Sequence, residues 1–138
     1  MMRVLLDTNV VLDVLLDRQP FVDDAARLWL ACDDGVFDGC VATFTIPTIH
    51  YVCKRHAGED AAARAVDLCL EAFETASLYR ECILAARRMS GGDFEDNLQI
   101  ACAITDFMQG IVTRNPRDFA ASPIRVYSPA ELLKVLGR

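Results

Sequence analysis

A chain of 138 residues with 53% hydrophobic side chains and a mean hydropathy of +0.22 holds enough apolar material for one buried core, so a single domain over residues 1–138 is expected. Its formal net charge of −6 argues against a general affinity for nucleic acid through a basic surface, but not against a nuclease whose clustered carboxylates hold cations. Asp7, Asp13 and Asp17 interrupt the N-terminal apolar stretch, so no run approaches the length of a membrane span, and the start lacks a basic n-region, so nothing suggests secretion and the cytoplasm is the expected location.

Val4 to Leu6 is a short apolar run that ends at Asp7, and Asp7-Thr8-Asn9 leads into a second apolar run with helical spacing. The first run reads as a buried parallel strand, and Thr8 or Asn9 as the cap of the following helix, with Asp13 and Asp17 on its solvent side. After Asp17-Arg18-Gln19-Pro20, a helix from about Val22 to Cys32 places Ala25, Leu28, Trp29 and Cys32 on one face and stops at Asp33-Asp34-Gly35. Cys40 to Ala42 is a second strand. Thr43 and Thr45 then read as caps of a helix through Ile46, Ile49, Val52 and Cys53, with Pro47 in its first turn and Gly58 at its end.

Glu59 to Phe73 is an amphipathic helix, followed by a weak strand near Phe73 to Ala76. Tyr79 to Met89 is predicted as a helix with Cys82, Ile83, Ala86 and Met89 inward, stopped by Ser90-Gly91-Gly92. Asp93-Phe94-Glu95-Asp96-Asn97 opens a helix through Leu98, Ala101, Cys102, Ile104 and Met108 that is apolar nearly all round, hence central, and that Gly110 ends. Ile111 to Thr113 and Arg125 to Tyr127 are short strands. Ser128-Pro129-Ala130-Glu131 is an N-cap with proline at the first helical position and an acid at the third. This alternation predicts a three-layer α/β/α sandwich on a mostly parallel sheet. The six cysteines form no C-x-x-C pair and read as reduced, buried small hydrophobes.

Three places gather acids: Asp7 after the first strand, Asp93, Glu95 and Asp96 at the start of the central helix, and Asp118 after the Ile111 to Thr113 strand. Singly, each has a plain structural role as a cap or first-turn acid. Together, on one edge of a parallel sheet, they would repel one another without a cation, and a cluster of this kind suits Mg²⁺ or Mn²⁺ and phosphoryl-transfer chemistry.

The segments LLDTNVVLDVLL, DFEDNLQIACA and IVTRNPRDF, in this order and spacing, resemble the PIN-domain family, most of all the small prokaryotic group that includes VapC-type toxins. The resemblance implies a parallel sheet flanked by helices and a Mg²⁺/Mn²⁺-dependent endoribonuclease acting on RNA. It also implies a homodimer and a small cognate antitoxin. Carried over by residue, Asp7, Asp96 and Asp118 are the metal-binding catalytic acids, with Asp93 and Glu95 auxiliary ligands. Asn9, Thr113 and Asn115 support them. The usual glutamate early in the helix after the second strand falls on Thr48, which cannot be an anionic ligand. Arg114, Arg117, Lys54 and Arg55 flank the inferred site as contacts for the substrate backbone. His50 and His56 lie on different helix faces, against a zinc site, though His50 is near the vacant acid slot.

Two other readings stay open. One is a catalytically weak or inactive PIN module acting by RNA or protein binding, suggested by Thr48 and the acidic balance. The other is an aspartate-dependent phosphotransferase, such as a receiver or haloacid-dehalogenase-like domain. Against the latter, Asp7-Thr8-Asn9 lacks a second aspartate two positions on, and no lysine lies between Lys54 and Lys134.

Overall fold

The computed structural model describes residues 1–138. Strands β1 (Arg3–Leu6), β2 (Asp38–Ala42), β3 (Glu74–Ala76), β4 (Gly110–Val112) and β5 (Arg125–Tyr127) form one parallel sheet in the order β3-β2-β1-β4-β5. Helices α1 (Thr8–Leu15), α2 (Val22–Asp33), α3 (Thr45–Ala57), α4 (Glu59–Ala72), α5 (Arg80–Arg88), α6 (Phe94–Thr105) and α7 (Pro129–Leu136) cover its two faces.

Alternation along β1 sets the layers. Val4 and Leu6 point into a core shared with Val10, Leu28, Ile49 and Leu132, while Leu5 points into a second core with Cys40, Ile100, Cys102 and Ile111. Val4, Leu5 and Leu6 are all buried, as a strand sandwiched between helices requires. The expected α/β/α sandwich is therefore the observed one. Glycine is needed at two strand positions by close approach: a Cβ at Gly110 would lie 2.9 Å from the Tyr127 ring, and one at Gly39 2.8 Å from Cys32 Sγ.

Several local expectations need correction. Asp7, not Thr8 or Asn9, occupies the N-cap position of α1, without a side-chain capping bond. Phe44 holds that position in α3, and the Thr45 hydroxyl is used elsewhere. The central helix α6 ends at Thr105 because Phe107 turns into the left-handed region at φ 56°; Gly110 begins β4 instead of ending the helix. Ile83 is 42% exposed rather than inward, and the central helix is not covered all round, Ile104 being 41% exposed. Asp13, expected at the solvent side, is 1% exposed. The capping box at Ser128 and Glu131 is present as expected.

Candidate metal centre

In a parallel sheet every strand delivers its following loop to the same edge, and ligands collect outside those carboxyl ends. β1 and β4 are central neighbours, so residues 7 and 113 emerge side by side. The Asp7 amide donates to Val112 O at 3.0 Å, which ties the acid to the end of β4. Thr113 Oγ1 donates to Asp7 Oδ2 at 2.8 Å, and the Asn115 amide donates back to Thr113 Oγ1 at 3.3 Å. Asp118 follows in the 3-10 turn Pro116–Phe119, its amide donating to Asn115 O at 3.0 Å. From α6, Asp93 Oδ1 accepts the Glu95 amide at 2.6 Å as a true N-cap, which leaves Asp96 in the first turn, half-buried.

The electrostatics show that these acids share one field. Burial, then the charges of Asp7, Asp93, Asp118 and Glu95, push the Asp96 carboxyl up to about 7. Asp7 is raised by burial, aided by Glu95, and opposed by its bonds from Thr113 and the Thr8 backbone and by the Arg114 charge. No three His, Cys, Asp or Glu side chains converge closely enough to enclose an ion as they stand. The donor set is nonetheless that of a hard divalent cation: carboxylate oxygens from three elements, with no lysine or arginine ion pair to Asp7, Asp93, Glu95, Asp96 or Asp118.

Beneath Asp7 lies a buried polar tie that the sequence reading missed. Thr8 Oγ1 and Thr45 Oγ1 are 2.9 Å apart, and Gln99 Nε2 donates to Thr8 Oγ1 at 3.2 Å, joining α1, α3 and α6. Gln99 Oε1 and Asn97 Oδ1 are buried without partners, close in sequence to Asp96. A lone glutamine inside the apolar run of α6 was the available signal. α3 brings this hydroxyl but no acid: Thr48, half-buried, donates from its own hydroxyl to Phe44 O at 3.3 Å.

The basic candidates divide. Arg114 is committed to the buried Asp13, with Nε and Nη2 donating at 2.7 and 2.6 Å and its guanidinium 4.1 Å over the Phe21 ring. Lys54 pairs with Glu59 at 3.1 Å, and His50 reaches the same carboxylate at 3.5 Å, so both belong to the α3–α4 corner. Arg55, farther along α3, donates to the Tyr51 hydroxyl at 3.1 Å. Arg117 is exposed in the same 3-10 turn as Asp118, and Asn9 is exposed with Oδ1 accepting from Arg18 at 3.4 Å.

Fold and acidic edge together define an α/β protein of the PIN type. A family model described as PIN domain matches residues 3–117, and the chain belongs to that family. Among solved structures it is similar to VapBC from Salmonella typhimurium bound to DNA, at 16% identity, TM-score 0.70, covering 94% of this chain and 99% of that one. VapBC2 from Rickettsia felis, bound to a promoter DNA fragment, gives 15% identity and TM-score 0.68, covering 92% and 98%. The sarcin–ricin-loop-cleaving VapC toxin of Mycobacterium tuberculosis gives 15% identity and TM-score 0.63, covering 78% and 86%. At these identities the likeness is one of fold. No curated protein sequence matches the chain significantly. No helix is long and apolar enough to cross a membrane.

Proposed function

We propose that this chain is a divalent-metal-dependent endoribonuclease, the toxin of a toxin–antitoxin pair, with Asp7, Asp96 and Asp118 as the catalytic metal ligands. The observation that carries the reading is Asp96, whose carboxyl is held up to about 7 by burial and by four other acids at the carboxyl edge of the sheet. Family membership and the toxin named among its structural neighbours support it. Bound Mg²⁺ or Mn²⁺ would supply a Lewis acid for the scissile phosphate and a water of lowered pKa.

The chain's own residues do the rest. Thr113 orients the Asp7 carboxylate by donating to Oδ2. Asp93 and Glu95 add negative charge at the start of α6, Asn115 steadies Thr113, and Arg117 and Asn9 are exposed beside the acids for contact with the RNA backbone. A small antitoxin is the expected inhibitory partner, a second copy of the chain the expected dimer mate, and the cytoplasm the expected location.

The test is cleavage of a mixed structured RNA pool with Mn²⁺, with Mg²⁺ and with EDTA, beside an Asp7→Asn preparation. Metal-dependent cleavage that is lost in the variant is the expected result; equal behaviour of the two preparations overturns it. A second reading, a binding module of weak activity, draws on Thr48, whose hydroxyl is turned back onto Phe44 O where an acid would be expected. It predicts RNA binding without metal-dependent turnover.

A further inference from the structure

Two arginines converge on the one buried carboxylate of α1, and they are not equivalent. Arg114 takes both Asp13 oxygens at 2.6 and 2.7 Å. Arg18 reaches the same carboxylate only at 3.7 Å and donates to Asn9 Oδ1 at 3.4 Å, two residues past Asp7. One carboxylate cannot neutralise two guanidiniums, so positive charge is left over beside the acidic edge. The Arg18 side chain is 33% exposed and lines a cavity of about 460 Å³ with Leu16, Tyr51, Val52, Arg55 and His56. No acid lines this cavity, although the chain as a whole carries a net charge of −6. Arg55 and His56 form no ion pair with any carboxylate. Tyr51 is 60% exposed, and the Arg55 guanidinium lies 5.8 Å from its ring centroid, so an aromatic face and a cation are offered side by side.

We infer that this cavity is a subsite for single-stranded RNA, in which Arg18 and Arg55 hold backbone phosphates of the bound strand and Tyr51 stacks a base. Single strands are held by this combination of a positive groove with aromatic faces, and RNA bases are free to stack where the strand is unpaired. The Arg18–Asn9 contact brings this guanidinium to the residue two positions past Asp7, and the charge left on Arg18 favours a phosphate over a neutral segment. Arg114, already neutralised by Asp13, has a positioning role only. The inference rests on the ribonuclease reading.

The test is fluorescence anisotropy of a labelled mixed-sequence single-stranded RNA titrated in EDTA, where cleavage is blocked, with wild-type protein, Arg18→Gln, Arg55→Gln, Tyr51→Ala, and Arg80→Gln on α5 as a control. Thermal melts confirm that each variant is folded. Each cavity variant should weaken binding by about tenfold, and each arginine removed should flatten the salt dependence by about 0.7 in log–log slope, the value for one phosphate contact on a single strand. Arg80→Gln should bind as wild type. Unchanged affinity in the folded cavity variants overturns the inference. So does a pattern in which they keep RNA affinity but lose inhibition by the cognate small protein, which makes the cavity a protein-docking site. If these variants are unchanged while the wild type cleaves the RNA pool with metal, the inference fails alone. If the wild type neither binds nor cleaves RNA, it fails together with the ribonuclease reading.

Discussion

Asp96 is where the charges of the molecule conflict most, since its own burial and four neighbouring carboxylates all oppose its ionisation. Its carboxyl lies at about 7 in the folded chain against an ordinary value of 3.8, so the folded state binds the proton more tightly than the unfolded state. The associated stability is fully present below about 3.8 and is lost as pH rises through about 7. Metal-free protein should therefore melt lower at pH 8 than at pH 5.5. Asp96→Asn should remove most of that slope and raise stability at pH 8 by about 1–2 kcal/mol, a figure discounted for partial exposure. Chemical denaturation in EDTA at the two pH values checks it, and an unchanged slope in the variant would place the conflict elsewhere. Asp7 was legible because it ends an apolar run and precedes a helical one, a purely local signal. Asp13 was not: a single acid in an amphipathic helix looks solvent-facing, and the partner that buries it, Arg114, stands 101 positions away.

The loop after β4 owes its placement to that long-range pair. Arg114 sits between Thr113, which fixes Asp7, and Asn115, which caps the turn bearing Asp118, so the Asp13 clasp anchors the loop to α1. Arg114→Gln leaves Asp13 buried without its bidentate partner and should cost about 3–5 kcal/mol, part of it recovered in the Asp13→Asn/Arg114→Gln double variant. A double-mutant cycle by urea denaturation measures the coupling; additive losses would contradict the clasp. α3 shows the opposite balance. Its existence and register were readable from the 3–4 spacing of Ile46, Ile49 and Cys53, but its hydroxyl at Thr45 read as a cap when it in fact joins Thr8. Thr48→Glu should supply the anionic ligand that α3 lacks and tighten Mn²⁺ binding. If affinity does not change, the first turns of α3 do not face the acids. The end of α6 escaped sequence reading because the left-handed position of its closing turn, where the Phe107 amide donates to Ile104 O and the Met108 amide to Ala103 O, is held by an exposed phenylalanine instead of the glycine or asparagine that would announce it.

Taken whole, the molecule reconciles an acidic composition with a proposed role on RNA by separating its charges. A central pair of parallel strands, β1 and β4, sends Asp7 and the Asp118 turn to one edge, and the start of α6 adds Asp93, Glu95 and Asp96. The sandwich architecture was readable because strand-length apolar runs alternate with helical ones, and the parallel direction because connections of that length cross over the sheet, but the strand order β3-β2-β1-β4-β5 was not. Composition could not reveal that a region lined by Arg18, Arg55 and His56 carries no acid, since net charge averages over the surface. The central claim is that acids from three separate elements act as one divalent-metal site. Titration calorimetry of Mn²⁺ into the wild type, Asp7→Asn, Asp96→Asn, Asp118→Asn and the surface control Asp67→Asn tests it most directly. The account predicts that each of the three site variants weakens Mn²⁺ binding by at least about tenfold, the loss of a charged ligand being worth upwards of 1.4 kcal/mol, while Asp67→Asn binds as wild type. Equal Mn²⁺ affinity across all five proteins would contradict it.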